Sequence, residues 1–180
     1  TTADTAIDAL THAMEAYVSR KANIFSDTQA TAAMKLIAPN LRKVYLNIND
    51  EIAREKIMVG ATLAGMAFSN ASVALVHGMS RPIGAFFHVP HGLSNAMLLP
   101  TVTKYSLKEA SKKYSECSRF MGLATSDDNE DIANNKLLEE LYQLNIDLEV
   151  PSPEKYGINK KEFMKNINTM AEQALASGSP

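Results

Sequence analysis

From Ile57 to Val76 the chain reads IMVGATLAGMAFSNASVALV, 20 residues without a charge. An uncharged stretch of that length belongs either in a bilayer or in the packed interior of a protein. Thr62, Ser69, Asn70 and Ser72 interrupt it, glycine and alanine dominate its middle, and no aromatic belt flanks it. These features favour a helix buried inside a helical domain, with small residues allowing close backbone approach, and argue against a membrane span. With 46% apolar and 21% charged residues, the composition is that of a soluble globular chain, not of a disordered chain or a disulfide scaffold. A length of 180 residues suits one domain, here taken as residues 1–180.

The remaining pattern is helical. Ala6, Leu10, Ala13, Met14, Tyr17 and Val18 recur at three-to-four spacing, which predicts a first helix capped by Asp4 or Thr5 and running to about Ser19. A second helix is expected from Asp27 or Thr28 toward Asn47, ended or kinked by Pro39, and Asp50 caps a third. From Arg81 to Pro100 three prolines and two glycines predict a structured loop with a short helix. Helix resumes from about Val102 to Met121, then along Leu137, Leu138, Leu141 and Leu144, and finally after Asn159. No long strand-like alternation occurs, so the predicted fold class is all-α, a helical bundle-like domain.

Charge and cysteine usage narrow the partners. With 18 basic and 20 acidic residues the net charge is -2, so no nucleic-acid surface is implied. Cys117 has no second cysteine to pair with, which suits a reducing, cytoplasmic setting. The opening TTADTAIDAL does not read as a signal peptide. There is no GxGxxG, no GxxxxGK[ST] and no GxSxG, so nothing in the chain would hold a nucleotide by itself.

The candidate chemistry lies with the histidines. Asp8 and His12, four residues apart, project from one helical face. His77 closes the uncharged run, and His91 follows 14 residues later in Pro-His-Gly. Three imidazoles and one carboxylate suit a divalent transition metal such as iron or zinc, and that set would leave the site net positive, a Lewis acid. On the residues alone, scattered structural histidines explain the pattern as well. His88 could be a further ligand, a proton carrier or a loop residue. Arg81, one turn beyond His77, could orient an anion or cap a helix. Met58, Met66, Met79 and Met97 fall at core spacings, and Cys117 reads as a small half-buried residue.

Three segments carry a resemblance. Asp8 to Ser19, DALTHAMEAYVS, resembles the DALTHAxEAYxS signature of the iron-containing (group III) alcohol dehydrogenases. Ala74 to Met79, ALVHGM, and Pro90 to Pro100, PHGLSNAMLLP, are similar to that family's second pattern, in the same order and with the same gap. The resemblance implies a dehydroquinate synthase-like C-terminal helical domain that normally follows an N-terminal α/β dinucleotide-binding domain, here expected before Thr1. It implies Fe2+, or Zn2+ in some members, held by Asp8, His12, His77 and His91. It also implies hydride transfer between NAD(P) and a small alcohol or aldehyde, with Phe68 lining the substrate pocket.

Arg81 departs from the pattern, since many relatives place a proton-moving histidine there; His88 is the candidate substitute and His91 the other catalytic candidate. The alternatives are glycerol dehydrogenase, hydroxyacid-oxoacid transhydrogenase or a dehydroquinate synthase-like enzyme on the same plan, or a stand-alone helical metal-binding module. An isolated helical half is expected to be inactive. Its cleft face is expected to be covered by the cofactor domain or by a second copy in a homo-oligomer.

Overall fold

The computed structural model describes residues 2–178, with side chains from Asp4. It contains α1 (Thr2–Val18), α2 (Ile24–Ile37), a 3-10 turn (Ala38–Asn40), α3 (Leu41–Leu46), α4 (Glu51–Ala71), α5 (Leu75–Phe87), α6 (His91–Phe120), α7 (Glu130–Asp147), α8 (Pro153–Tyr156) and α9 (Lys160–Ala176). No strand occurs among the described residues, so the all-α reading holds.

Helix α1 is the axis of the fold. Ile7, Leu10, Ala13, Met14 and Ala16 are all but inaccessible, because α2, α4 and α6 pack around it. The main core joins these to Met34, Ile37, Leu41, Leu99, Leu137, Leu141 and Leu144. Small residues set the spacing: a Cβ on Gly60 would meet Ile37 Cγ1 at 2.6 Å, so α2 and α4 can lie this close only because residue 60 has no side chain. A smaller core of Ile83, Val89, Ile158 and Met170 ties α9 to α5, with the Phe87 and Phe163 rings stacked 5.7 Å apart.

Several expected boundaries move. Helix α1 begins at Thr2, so Asp4 lies in its first turn and neither Asp4 nor Thr5 is its cap. Helix α2 begins at Ile24, one turn before Asp27, because Asn23 accepts hydrogen bonds from the Phe25 and Ser26 N–H groups while Ser26 returns one to Asn23. Pro39 breaks the second helix as expected, through the 3-10 turn. Asp50 and Asn159 cap α4 and α9 as predicted.

The expected loop from Arg81 to Pro100 is mostly helix. Helix α5 runs through Pro82 to Phe87, only residues 88–90 separate it from α6, and α6 runs through Pro100. Proline frees the carbonyl four residues earlier. For Pro100 that is Ala96 O, which receives a hydrogen bond of 2.8 Å from Asn145 Nδ2 of α7. The helix resumption expected at Val102 is therefore the middle of α6, which instead bends at Ala110, where φ is -138° and ψ 31°.

The uncharged run is not one buried helix. It divides between α4 and α5, which meet at a bend of 100°, and among the described residues no single helix is long and apolar enough to cross a membrane. Met58 and Met66 are exposed rather than core, because α4 buries only its alanine and glycine face. Met79 and Met97 are partly buried against the cores. Cys117 is fully buried, not half-buried. Gly178 ends the described chain in a left-handed conformation; the fraying expected of Ser179 and Pro180 lies outside the described residues.

Candidate metal centre

Three helices converge on one point. Asp8, His12 and Glu15 lie along one face of α1, His77 is in the first turn of α5, and His91 and Asn95 are one turn apart at the start of α6. Gly92 permits the convergence of α6 on α1: a Cβ there would meet the Asp4 carbonyl oxygen at 2.7 Å and Asp8 Cβ at 3.4 Å.

The structure brings all four sequence candidates together. Ligand-capable atoms of Asp8, His12, His77 and His91 lie within 4.8 Å of one another. Asp8 Oδ1 stands 3.4 Å from His77 Nε2, 3.7 Å from His91 Nε2 and 3.9 Å from His12 Nδ1. Four donors at bond lengths of ~2.1 Å in a tetrahedral shell sit ~3.4 Å apart; the closest Asp8 separation matches that spacing, and the wider ones would have to close on a bound iron or zinc ion.

The site is graded in exposure, with His77 at 2% and His91 at 50% side-chain exposure. His12 stacks on Phe68, ring centroids 4.4 Å apart. A cavity of about 440 Å³ opens beside the cluster, lined by His12, His77, His91, Phe68 and Arg81 among others.

Two residues to which the sequence reading assigned no role complete the centre. Glu15, 2% exposed, accepts hydrogen bonds from His77 Nδ1 at 2.5 Å and from the Val76 N–H at 2.6 Å. Its other backbone contact is the His77 N–H at 3.4 Å. Helix α5 has no cap of its own, so Glu15 caps it from α1 while it fixes the His77 ring. With Nδ1 turned to Glu15, Nε2 faces Asp8.

Asn95 Nδ2 donates to Asp8 Oδ1 at 2.6 Å and lies 3.0 and 3.2 Å from His77 Nε2 and His91 Nε2. Its Oδ1 is buried without a protein partner. When both ring nitrogens are unprotonated, the two amide hydrogens cannot serve all three atoms, and a bound cation would supply the missing positive charge. The signals were present in the sequence: Glu15 is an acid inside the apolar stripe of α1, and Asn95 stands four residues after His91.

The electrostatics agree. Burial raises the Asp8 carboxyl, but its hydrogen bond to His77, the charge of His12 and the bond from Asn95 outweigh that and hold it below the usual carboxylate range. Burial and the neighbouring His77 push His12 down to about 4, leaving it neutral at pH 7. His77 is lowered by burial, yet hydrogen bonds to Asp8 and Glu15 prevail and place it above the ordinary histidine value.

His88 is not part of this group. It is exposed, ends α5 in a left-handed conformation (φ 54°, ψ 31°) and does not line the cavity; its carbonyl accepts a bond from the Tyr156 hydroxyl at 3.2 Å. Burial pushes the Cys117 thiol up, out of the range of a reactive thiolate.

Comparison with known proteins follows the same lines. The profile described as "Fe-containing alcohol dehydrogenase family, C-terminal" matches residues 2–180. The chain is 38% identical over 175 residues to NADPH-dependent butanol dehydrogenase of Clostridium saccharobutylicum, covering 97% of this chain and 44% of the relative. It is 38% identical over 178 residues to 1,3-propanediol dehydrogenase of Citrobacter freundii, covering 98% and 45%. The solved alcohol dehydrogenase from Oenococcus oeni superposes with a TM-score of 0.91 at 35% identity, covering 99% of this chain and 46% of that one. The chain therefore spans less than half the length of these relatives.

Proposed function

Since this chain belongs to the Fe-containing alcohol dehydrogenase family, as its C-terminal part, we propose that residues 1–180 are the metal-binding domain of an NAD(P)-dependent alcohol dehydrogenase. Its substrate is a small alcohol or aldehyde. The observation that carries this reading is the approach of Asp8, His12, His77 and His91 to within 4.8 Å of one another. These four residues would hold Fe2+ or Zn2+.

A bound divalent cation supplies Lewis acidity, which lowers the pKa of an alcohol and polarises an aldehyde carbonyl. The chain's own residues do the rest. Asp8 contributes the single negative charge among the four donors, so the loaded site stays positive. Glu15 holds His77 with Nε2 turned inward, and Asn95 anchors the Asp8 oxygen that faces the imidazoles. Phe68, stacked on His12, forms an apolar wall that limits water beside the donors. His91, half exposed at the cavity, is the candidate ligand nearest an incoming substrate.

NAD(P) would be held largely by residues outside this chain, which spans less than half the length of its relatives. The proton route is not assigned to His88, which lies apart from the cavity. The exposed Ile52, Met58, Val59 and Met66 of α4 give a face for a second copy or for that domain. The buried free thiol of Cys117 suits a reducing cytoplasm.

The test is metal analysis of the anaerobically purified chain after incubation with ferrous iron, beside a His77→Ala, His91→Ala double variant. About one metal per chain, lost in the variant, is expected. Equal metal in both proteins, or none in the native chain, overturns the reading.

A further inference from the structure

The cavity beside the donor cluster is chemically lopsided. Its lining combines the three imidazoles and Phe68 with two exposed cations, Lys21 from the link between α1 and α2 and Arg81 from α5. No carboxylate lines the cavity among the described residues, and neither cation forms an ion pair with one. Ser69 and Asn70 add neutral polar groups to the lining. Two positive charges without counter-charges in a concave site concentrate anions there, and a guanidinium grips a carboxylate through paired hydrogen bonds.

We propose that Lys21 and Arg81 form a subsite for an anionic group on the molecule that fills this cavity, so that the preferred substrate is a short hydroxy acid or aldehyde acid rather than a plain alcohol. The hydroxyl or aldehyde end faces the imidazoles and the acid end faces the two cations. This assignment rests on the metal-site reading above for the position of the reacting end. The cation pair itself recognises anionic oxygen, which a nucleotide phosphate would also offer.

The experiment is calorimetric titration of the zinc-loaded chain with 1-butanol and with 4-hydroxybutanoate, which differ only in a carboxylate replacing the terminal methyl. The hydroxy acid is expected to bind at least about tenfold more tightly, as a charge-assisted contact requires. That advantage is expected to shrink to within about twofold in a Lys21→Ala, Arg81→Ala double variant. Equal affinities in the native chain, or an advantage that survives in the double variant, overturn the proposal.

Pyrophosphate separates the two sources. If it binds in a manner dependent on Lys21 and Arg81 while the hydroxy acid has no advantage, the pair serves a nucleotide phosphate and the substrate assignment fails. Butanoate, which lacks the hydroxyl, reports on the cations alone. A chain that takes up no zinc yet binds butanoate, with loss in the double variant, refutes the metal-site reading and retains the anion subsite.

Discussion

Replacing Gly92 by alanine perturbs the candidate site through geometry alone. An added Cβ would sit 2.7 Å from the Asp4 carbonyl oxygen and 3.0 Å from its carbon, both in the backbone of α1. A backbone carbonyl inside a helix cannot swing aside as the end of a side chain can. The start of α6 must therefore withdraw from α1 by about 0.7 Å to restore ordinary contact. His91 is the adjacent residue and Asp8 Cβ is in the same contact, so the displacement falls directly between two donors. Metal–ligand distances tolerate only about 0.2 Å. A shift several times larger is expected to weaken zinc binding at least about tenfold.

Overpacking costs roughly 1–3 kcal/mol, which for a chain of this size lowers the melting temperature by roughly 2–12 °C. Chelator competition with a zinc indicator measures the first effect and thermal unfolding in excess chelator the second. A Gly92→Ala chain that binds zinc within twofold of the native protein and melts within 1 °C of it would refute the close-approach argument.

Three further outcomes are expected. Glu15→Gln keeps the shape of the side chain but turns an amide toward one of the groups that Glu15 accepts from, so zinc affinity should fall by about 10-fold or more; nitrogen NMR of the His77 ring should also show a loss of Nδ1 protonation, and an unchanged ring signal with unchanged affinity would exclude the positioning role. Ser72 occupies a region almost restricted to glycine (φ 67°, ψ 172°), so Ser72→Gly should relieve strain and raise stability by up to about 1 kcal/mol after the added unfolded-state entropy is offset, read as a melting point higher by a few degrees; a lower one counts against strain.

The third concerns pH. His77 has its pKa raised, while His12 is already neutral down to about 4. Below the raised value a metal must displace the His77 proton, so zinc affinity should fall about tenfold per unit of acidification there and level off at higher pH. Calorimetry in two buffers of different ionisation enthalpy counts the released proton, and an affinity unchanged as pH falls below 6.5 would refute it. The linkage to folding has the opposite sign: the contribution from the raised His77 is complete below the ordinary histidine value near 6.5 and disappears as pH rises through the folded one. His12 acts oppositely, because its lowered value favours the folded state above about 6.5 and that contribution is lost as pH falls toward about 4.

Much of this protein was written locally. The three-to-four stripe of α1, the caps Asp50 and Asn159 and the break at Pro39 depend on groups within a few residues of one another, so spacing alone reveals them. The four candidate donors could be picked out for the same reason, as Asp8 and His12 share a helix face and the Pro-His-Gly of His91 stands in a recognisable pattern. What spacing could not show are contacts across long chain separations. Pro100 continues a helix because Asn145, far along the chain, supplies a donor to the carbonyl that proline frees. His77 points its Nε2 inward because Glu15, 62 residues earlier, takes its Nδ1 proton and caps its helix. Lys21, an unremarkable lysine in a link, faces the same cavity as Arg81 only once α4 and α5 have turned by 100°. Sequence period decides which face of a helix is apolar; which polar group meets which is settled by packing, since a buried donor or acceptor must find its partner wherever the fold brings one.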